Sequence, residues 1–273
     1  MLTRLATLTA AAAACAAFAL PTLPAQASPD LEELVQVEVL DGGMTRQGTY
    51  QAALRLTLAP GWKTYWRAPG DAGIPPQFNW RGSRNVDGVA MVWPQPEVFL
   101  TSGMRTIGYE HELVLPVEVT PSADGQVRLK GQIDLGLCSD VCIPGRVTFD
   151  HALDPQAGRH PSIAAALAQR PYSATEAGVQ AATCHLSPSK HGMRIEARIA
   201  MPPVGGAELA VIEPGDPSLW AAQAQTRREG GTLIASSELL HESGGTFALD
   251  RSKIRITVLG NTHAVDIRGC TAG

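Results

Sequence analysis

Apolar and polar side chains alternate with period two along most of the chain. Residues 34–40 read Leu-Val-Gln-Val-Glu-Val-Leu and stop at Asp41-Gly42-Gly43, a turn signal. Residues 50–58 set Ala and Leu against Gln, Arg and Thr, and 113–119 and 127–137 repeat the pattern. Alternation of this kind predicts half-buried antiparallel strands, because successive strand side chains point to opposite faces. Between residues 32 and 153 it predicts about seven strands or more, joined by turns, which is the sequence form of a β-sandwich. Residues 154–160 break the pattern with polar, Gly- and Pro-containing sequence. Residues 161–170, Pro-Ser-Ile-Ala-Ala-Ala-Leu-Ala-Gln-Arg, predict a short helix. Its Pro lies at the start, its middle is rich in Ala and Leu, and Arg170 falls in the last turn before Pro171. Alternation resumes from about residue 182 to 270. Met193, Ile195, Ala197, Ile199 and Met201 alternate with charged residues, and residues 219–226 and 232–239 flank the hairpin signal Arg228-Glu229-Gly230-Gly231. Residues 253–259 and 264–267 complete a second, smaller predicted sandwich. The expected organisation is all-β: a first sandwich over 28–153, a linker with a short helix over 154–181, and a second sandwich over 182–273.

The N-terminus has a different character. Arg4 is followed by an Ala-rich apolar stretch over residues 5–20, then by Pro21 and the small-x-small triplet Ala25-Gln26-Ala27. This is the layout of a secretory signal peptide over residues 1–27, with Ser28 as the expected mature N-terminus. A membrane anchor is the alternative, but the apolar run falls short of the ~20 residues of a span. Cys15 raises a lipoprotein alternative, for which Ala12-Ala13-Ala14 makes a poor lipobox.

Composition narrows the function classes. A formal charge of −4 without a basic stripe gives nucleic acid no footprint. Twenty-seven glycines and 20 prolines with only 5% aromatics suit short strands and tight turns. The sequence holds no phosphate-binding Gly loop, no Ser/His/Asp pattern and no metalloprotease helix. Its seven histidines are scattered without ligand spacing, so neither a metal nor a cofactor is expected. Trp62, Tyr65, Trp66, Trp80 and Trp93 concentrate in the first half and read as sandwich core, with a peptide-binding surface as the alternative.

Beyond residue 27 the cysteines are Cys138, Cys142, Cys184 and Cys270. An even count in an exported chain predicts two disulfides, and position pairs Cys138 with Cys142 and Cys184 with Cys270. By chain entropy the long Cys184–Cys270 loop stabilises by roughly 4.6 kcal/mol, and the short loop by only about 2 kcal/mol. The long bridge is a structural staple, whereas the short one needs another reason to exist. Four residues of extended strand span about 13 Å, well beyond the roughly 4.4–6.8 Å between bridged Cα atoms. The chain must therefore reverse within Ser139-Asp140-Val141, as a tight turn or one helical turn.

The segment Asp134-Leu-Gly-Leu-Cys-Ser-Asp-Val-Cys-Ile-Pro144 resembles the redox motif of the N-terminal periplasmic domain of DsbD-type thiol:disulfide interchange proteins, most closely the ScsB (suppressor of copper sensitivity) branch. Gly61-Trp-Lys-Thr-Tyr-Trp-Arg-Ala-Pro-Gly-Asp-Ala-Gly73, Trp93-Pro-Gln-Pro-Glu97, Gly108-Tyr109 and Leu113-Val-Leu-Pro116 fit the same family in the same order. The resemblance covers about residues 34–153; the second β-region resembles the extra β-domain of that branch through weaker motifs. It implies immunoglobulin-like sandwiches, a periplasmic location and a redox couple of Cys138 and Cys142. It also implies a cap loop over about residues 97–108, from Glu97, with Phe99 as the cover. The DsbD type proper spaces its two cysteines more widely than here, so its local geometry does not carry over.

The activity implied is protein-disulfide reductase or thiol-interchange chemistry within a relay. The expected partners are a membrane-embedded thiol carrier on a separate polypeptide and periplasmic substrate proteins with disulfides. Family analogy favours Cys142 as the cysteine that meets them. No strong cation lies near the motif in sequence, Lys130 and Arg146 being the nearest. Three other readings stay open on the residues: an inert bridge, weak Cu(I) binding by the same thiols with Met104 or His111 approaching in space, and an interaction module with structural disulfides only.

Overall fold

A computed structural model describes residues 30–101, 103–241, 243–244 and 247–273. The expected signal peptide, Ser28 and Cys15 lie outside the described residues. A one-turn helix, α1 (Leu31–Leu34), capped by the Asp30 carboxylate, leads into the first strands. These are β1 (Val35–Met44), β2 (Tyr50–Leu58), β3 (Lys63–Gly70), β4 (Gln77–Asn79) and β5 (Gly88–Met91). They continue with β6 (Glu97–Thr101), β7 (Met104–Glu110), β8 (Glu112–Thr120), β9 (Arg128–Cys138) and β10 (Cys142–Ala152). One four-stranded sheet has the order β1-β2-β8-β5, and a six-stranded sheet runs β10-β9-β3-β7-β6 with β4 beside β9. All these pairings are antiparallel. The inward side chains of both sheets, Leu54, Trp66, Leu115, Leu129, Ile133 and Leu137 among them, form one apolar cluster.

Helix α2 (Pro161–Ala168) follows, with Pro at its start and His160 as N-cap. It docks Ile163 and Leu167 onto Leu40, Ala53 and Val114 of the first sandwich, so the connector is fastened rather than free. Residues 172–272 build a second pair of sheets, again four- and six-stranded. Its core gathers Ile195, Ile199, Leu233, Ile256 and Val258 around Cys184. The molecule is all-β, with two immunoglobulin-like sandwiches and a short helical connection. The Gly230-Gly231 hairpin forms as the sequence predicts. Glu229 pairs with Thr232 across the two glycines, and Gly230 takes a positive φ of 56° that a two-residue turn demands. The expected strand 219–226 is instead two short strands, Leu219–Ala221 and Gln225–Glu229, both paired to the ten-residue strand Thr232–His241.

The two sandwiches pack closely. Leu259 and Ala264 of the second belong to the apolar cluster of the first. Gln95 donates to the Gly260 carbonyl at 3.2 Å, and Arg67 reaches across to Glu213.

Candidate functional site

Strands β9 and β10 form a hairpin in unbroken register from Arg128↔Ala152 to Cys138↔Cys142. Ser139-Asp140-Val141 close it as a tight turn, in which Ser139 N–H donates to the Val141 carbonyl at 3.0 Å. Of the two reversals the spacing permits, the chain takes the turn. The disulfide Cys138–Cys142 joins the last facing pair, with Cα atoms 4.2 Å apart. Pro144 lies within β10, an edge strand whose outer N–H groups have no ladder partner to lose.

Period-two alternation aims the site. Ile133, Leu135 and Leu137 face the core. Asp134, Gly136 and Cys138 therefore face the outer side of the sheet. On β3, Thr64 and Trp66 are buried toward the inside, which turns Lys63 and Tyr65 to that same outer face. Strand β3 pairs with β9 only at Lys63↔Cys138 and Thr64↔Leu137, and then β4 takes its place. The chain between them crosses the outer face and covers Tyr65, leaving it 4% exposed although it is outside the core cluster. The Tyr65 ring is wedged between two glycines. A Cβ on Gly136 would lie 2.8–2.9 Å from ring carbons, and one on Gly73 would lie 2.8 Å from another. The ring so held aims its Oη at Cys138 Sγ (2.6 Å) and Cys142 Sγ (3.2 Å). Disulfide sulfurs carry no proton, so the phenol donates to both. Burial raises the Tyr65 pKa, which keeps that proton in place at neutral pH.

The two sulfurs are not equivalent. Cys138 is 8% exposed, whereas Cys142 lies open to solvent. Val141 at the hairpin tip is 61% exposed and Ile74 of the covering loop lies beside Gly136, while Leu100 (75%) and Met104 are exposed at the end of the β6–β7 hairpin. Two residues beyond Gly136 from the disulfide, Arg146 pairs with Asp134 across the hairpin and holds its carboxyl below the usual range.

Other predicted site residues take definite places. Glu97 opens β6 opposite Gly108, and Phe99 faces Thr106. Gly108 pairs with Tyr65, so Phe99, two residues beyond Glu97, shares the outer face with the disulfide. Its ring lies beneath the Lys63 ammonium, 4.2 Å from Nζ to centroid. Met104 sits opposite Thr101 at the tip of the hairpin, and His111 occupies the β7–β8 turn at φ 67°. Among the described residues no group of three His, Cys, Asp or Glu side chains is placed to hold a metal ion. Cys184 and Cys270 are bridged in the second sandwich, with Cys184 fully buried. No described helix is long and apolar enough to cross a membrane.

Sequence reasoning missed two of these side chains. Tyr65 reads as core because it stands in an aromatic run, yet it is the residue on the sulfurs. Lys63 is 75 positions from Cys138, and only the β3–β9 pairing shows that a cation stands beside the pair. The signal available for Tyr65 was its outward parity against Trp66, combined with Gly136 and Gly73 on the matching motifs.

Residues 32–153 match the family model described as thiol:disulfide interchange protein DsbD, N-terminal. The crystal structure of the N-terminal periplasmic domain of ScsB from Proteus mirabilis is similar to most of the chain. The likeness has a TM-score of 0.67 at 24% identity and covers 88% of this chain and 95% of that one. Among curated proteins, none matches the sequence. Residues 32–153, which end with the Cys138–Cys142 hairpin, are thus similar to the N-terminal domain of DsbD-type thiol:disulfide interchange proteins.

Proposed function

We propose that this chain is a periplasmic thiol–disulfide exchange protein that relays electrons between a membrane thiol carrier and disulfide-bearing partner proteins. The observation that carries this reading is the asymmetry of the Cys138–Cys142 bridge. Cys142 is open to an incoming thiolate, while Cys138 is buried against the Tyr65 hydroxyl. Exchange proceeds by thiolate attack on one sulfur and departure of the other. A donor dithiol attacks Cys142 Sγ, the Cys138–Cys142 bond breaks, and Cys138 leaves as a thiolate that accepts the Tyr65 O–H. The donor's second thiolate then attacks its own sulfur in the mixed disulfide and releases Cys142. Two electrons have entered the pair and the donor is oxidised to a disulfide. Toward an acceptor the order reverses: Cys142 attacks the partner disulfide, and Cys138 resolves the mixed disulfide by attacking Cys142 Sγ. Exposed Val141 and Ile74 give a partner backbone something to bury, and the β6–β7 hairpin with Phe99 serves as the cap that yields to it.

Trapping tests the assignment. Cys138→Ser leaves Cys142 able to attack but unable to be released, so expression in the periplasm should accumulate mixed disulfides identifiable by mass spectrometry. Cys142→Ser should accumulate few. Equal trapping by both variants, or by neither, would remove the basis for the relay.

A further inference from the structure

Residues of one rung of the six-stranded sheet run Cys142, Cys138, Lys63, Glu110 across β10, β9, β3 and β7. Side chains directly opposite in antiparallel strands share a face, with Cβ atoms about 4.5–5.5 Å apart. Lys63 is therefore the immediate lateral neighbour of Cys138, on the face that carries Tyr65 and the sulfurs. In the disulfide form its ammonium does not need the sulfurs, which are neutral. It lies instead over the Phe99 ring at 4.2 Å. An ammonium on a ring face is held only by the ring quadrupole, whereas a thiolate within reach offers a full opposite charge in a half-buried site.

We propose that Lys63 is a shared cation, resting on Phe99 while Cys138 and Cys142 are bridged and turning to the Cys138 thiolate once the pair is reduced. The inference rests on the exchange reading above and adds a link between redox state and the β6–β7 hairpin. When two electrons from a dithiol break the S–S bond, Cys138 acquires a negative charge next to Lys63. The ammonium leaves the ring, and Phe99 loses what fastens it to β3. Reoxidation discharges the sulfur, and Lys63 returns. The same cation stabilises Cys138 as leaving group in one direction and as resolving nucleophile in the other. Neighbouring charges act the other way or are already engaged. Glu110 opposite Lys63, Asp140 in the turn and Asp71 in the covering loop are carboxylates, and Arg146 is paired with Asp134. Tyr65 adds a hydrogen bond but no charge.

The test uses the exported protein with the pair reduced by a phosphine, which cleaves the bridge without thiol exchange. Thiolate absorbance near 240 nm is then titrated for wild type, Lys63→Gln and Lys63→Arg. The expected result is a thiolate fraction at pH 7 about tenfold lower in Lys63→Gln, with Lys63→Arg close to wild type. In parallel, the ε-methylene protons of Lys63 are followed by NMR, assigned by their loss in Lys63→Arg. They should be shifted upfield by the Phe99 ring in the disulfide form, and move to ordinary lysine values on reduction. Superimposable titrations of wild type and Lys63→Gln, or Lys63 protons that stay shielded after reduction, would overturn the proposal. Both readouts are independent of whether any protein partner exchanges thiols, so a failure of the relay would show only in the trapping experiment.

Discussion

The guanidinium of Arg67 meets the carboxylate of Glu213 through two parallel hydrogen bonds of 3.0 Å each, joining the first sandwich to the second. The pair is largely shielded, with side-chain exposures of 13% and 23%. Arg67 also donates to Thr257 Oγ1 at 3.0 Å and lies against the Trp66 ring. Burial lowers the Arg67 pKa, and the nearby Glu213 works against that shift. Arg67 follows Tyr65 by two residues, which places this anchor close to the sulfur site along the same strand. Removing one partner of a shielded ion pair leaves an uncompensated charge and costs about 3 kcal/mol. Glu213→Ala should therefore lower stability by about that amount in urea unfolding. The double variant Arg67→Met with Glu213→Leu should recover most of the loss. A Glu213→Ala cost like that of an exposed pair, under about 1 kcal/mol, would mean the junction is held by its apolar contacts alone.

Tyr65→Phe removes one hydroxyl and little volume. The phenol bonds to the bridged sulfurs, and its bond to a thiolate would be charge-assisted and roughly twice as strong as a neutral one. Loss of the hydroxyl should thus penalise the reduced form more, by about 1 kcal/mol. Since 30 mV corresponds to about 1.4 kcal/mol for a two-electron couple, the potential should fall by about 20 mV. Equilibration against glutathione at several ratios measures it. A potential that rises would show that the phenol favours the disulfide.

Gly136 is the seat of that ring. Its missing Cβ is what lets Tyr65 lie across β9 toward the sulfurs, since an added carbon would fall under 3 Å from two ring atoms and from Ile74. Gly136→Ala should cost about 1–3 kcal/mol, as overpacking does. It should also produce the potential shift of Tyr65→Phe, because the ring must move off the pair. Circular dichroism melts and the glutathione equilibrium separate the two effects. A destabilised Gly136→Ala with an unchanged potential would mean the ring finds the sulfurs by another path.

Much of this fold is legible in local pattern. Strands β1, β2, β8 and β9 follow the alternation at 34–40, 50–58, 113–119 and 127–137, because each has one face on a core; the other face meets water except where α2 covers Leu40, Ala53 and Val114 and where the β3–β4 loop covers the end of β9. The helix is legible too, ending at Ala168 with Gln169 as its C-cap rather than running on to Arg170. Two features were beyond the pattern. Tyr172–Ser173 pairs in parallel with Ala264–Arg268, and two residues display no period. The run 219–226 shows no break in its sequence, Leu-Trp-Ala-Ala-Gln-Ala-Gln-Thr, but its middle leaves the strand pairing while both ends return to one long neighbour. At the site, spacing predicted the Cys138–Cys142 bridge, because a bridge over three residues constrains only local chain, and the family resemblance implied its redox role. Tyr65 and Lys63 come beside the pair through pairing between β3 and β9, and apart from Gly136 nothing near residue 138 marks them. Tyr65 escaped for a second reason: it is buried on the outer face by a loop, and burial there gives the same residue type as burial in a core.

The two disulfides should separate cleanly under reduction. Cys142 is an exposed residue at a hairpin tip. Cys184 is fully buried within its strand, and Arg251 Nε donates to its carbonyl at 3.2 Å. A thiolate can attack only a sulfur it reaches, so the first bridge exchanges in the native state while the second waits for local opening. The consequences for folding run in the opposite order. Loss of the short loop costs about 2 kcal/mol in the chain-entropy model, against about 4–5 kcal/mol for the loop closed by Cys270. A domain stable by about 5–15 kcal/mol survives the first and is threatened by the second. Cys138→Ser should therefore keep near-native circular dichroism and abolish exchange. Cys184→Ser should lower the melting temperature of the second sandwich while the first still cycles its pair. Dithiothreitol titration with peptide mapping supplies the direct comparison, Cys138–Cys142 opening at the lower concentration. Were both bridges to open together, exposure of Cys142 would not be what makes the hairpin pair reactive, and the asymmetry on which the relay reading stands would lose its meaning.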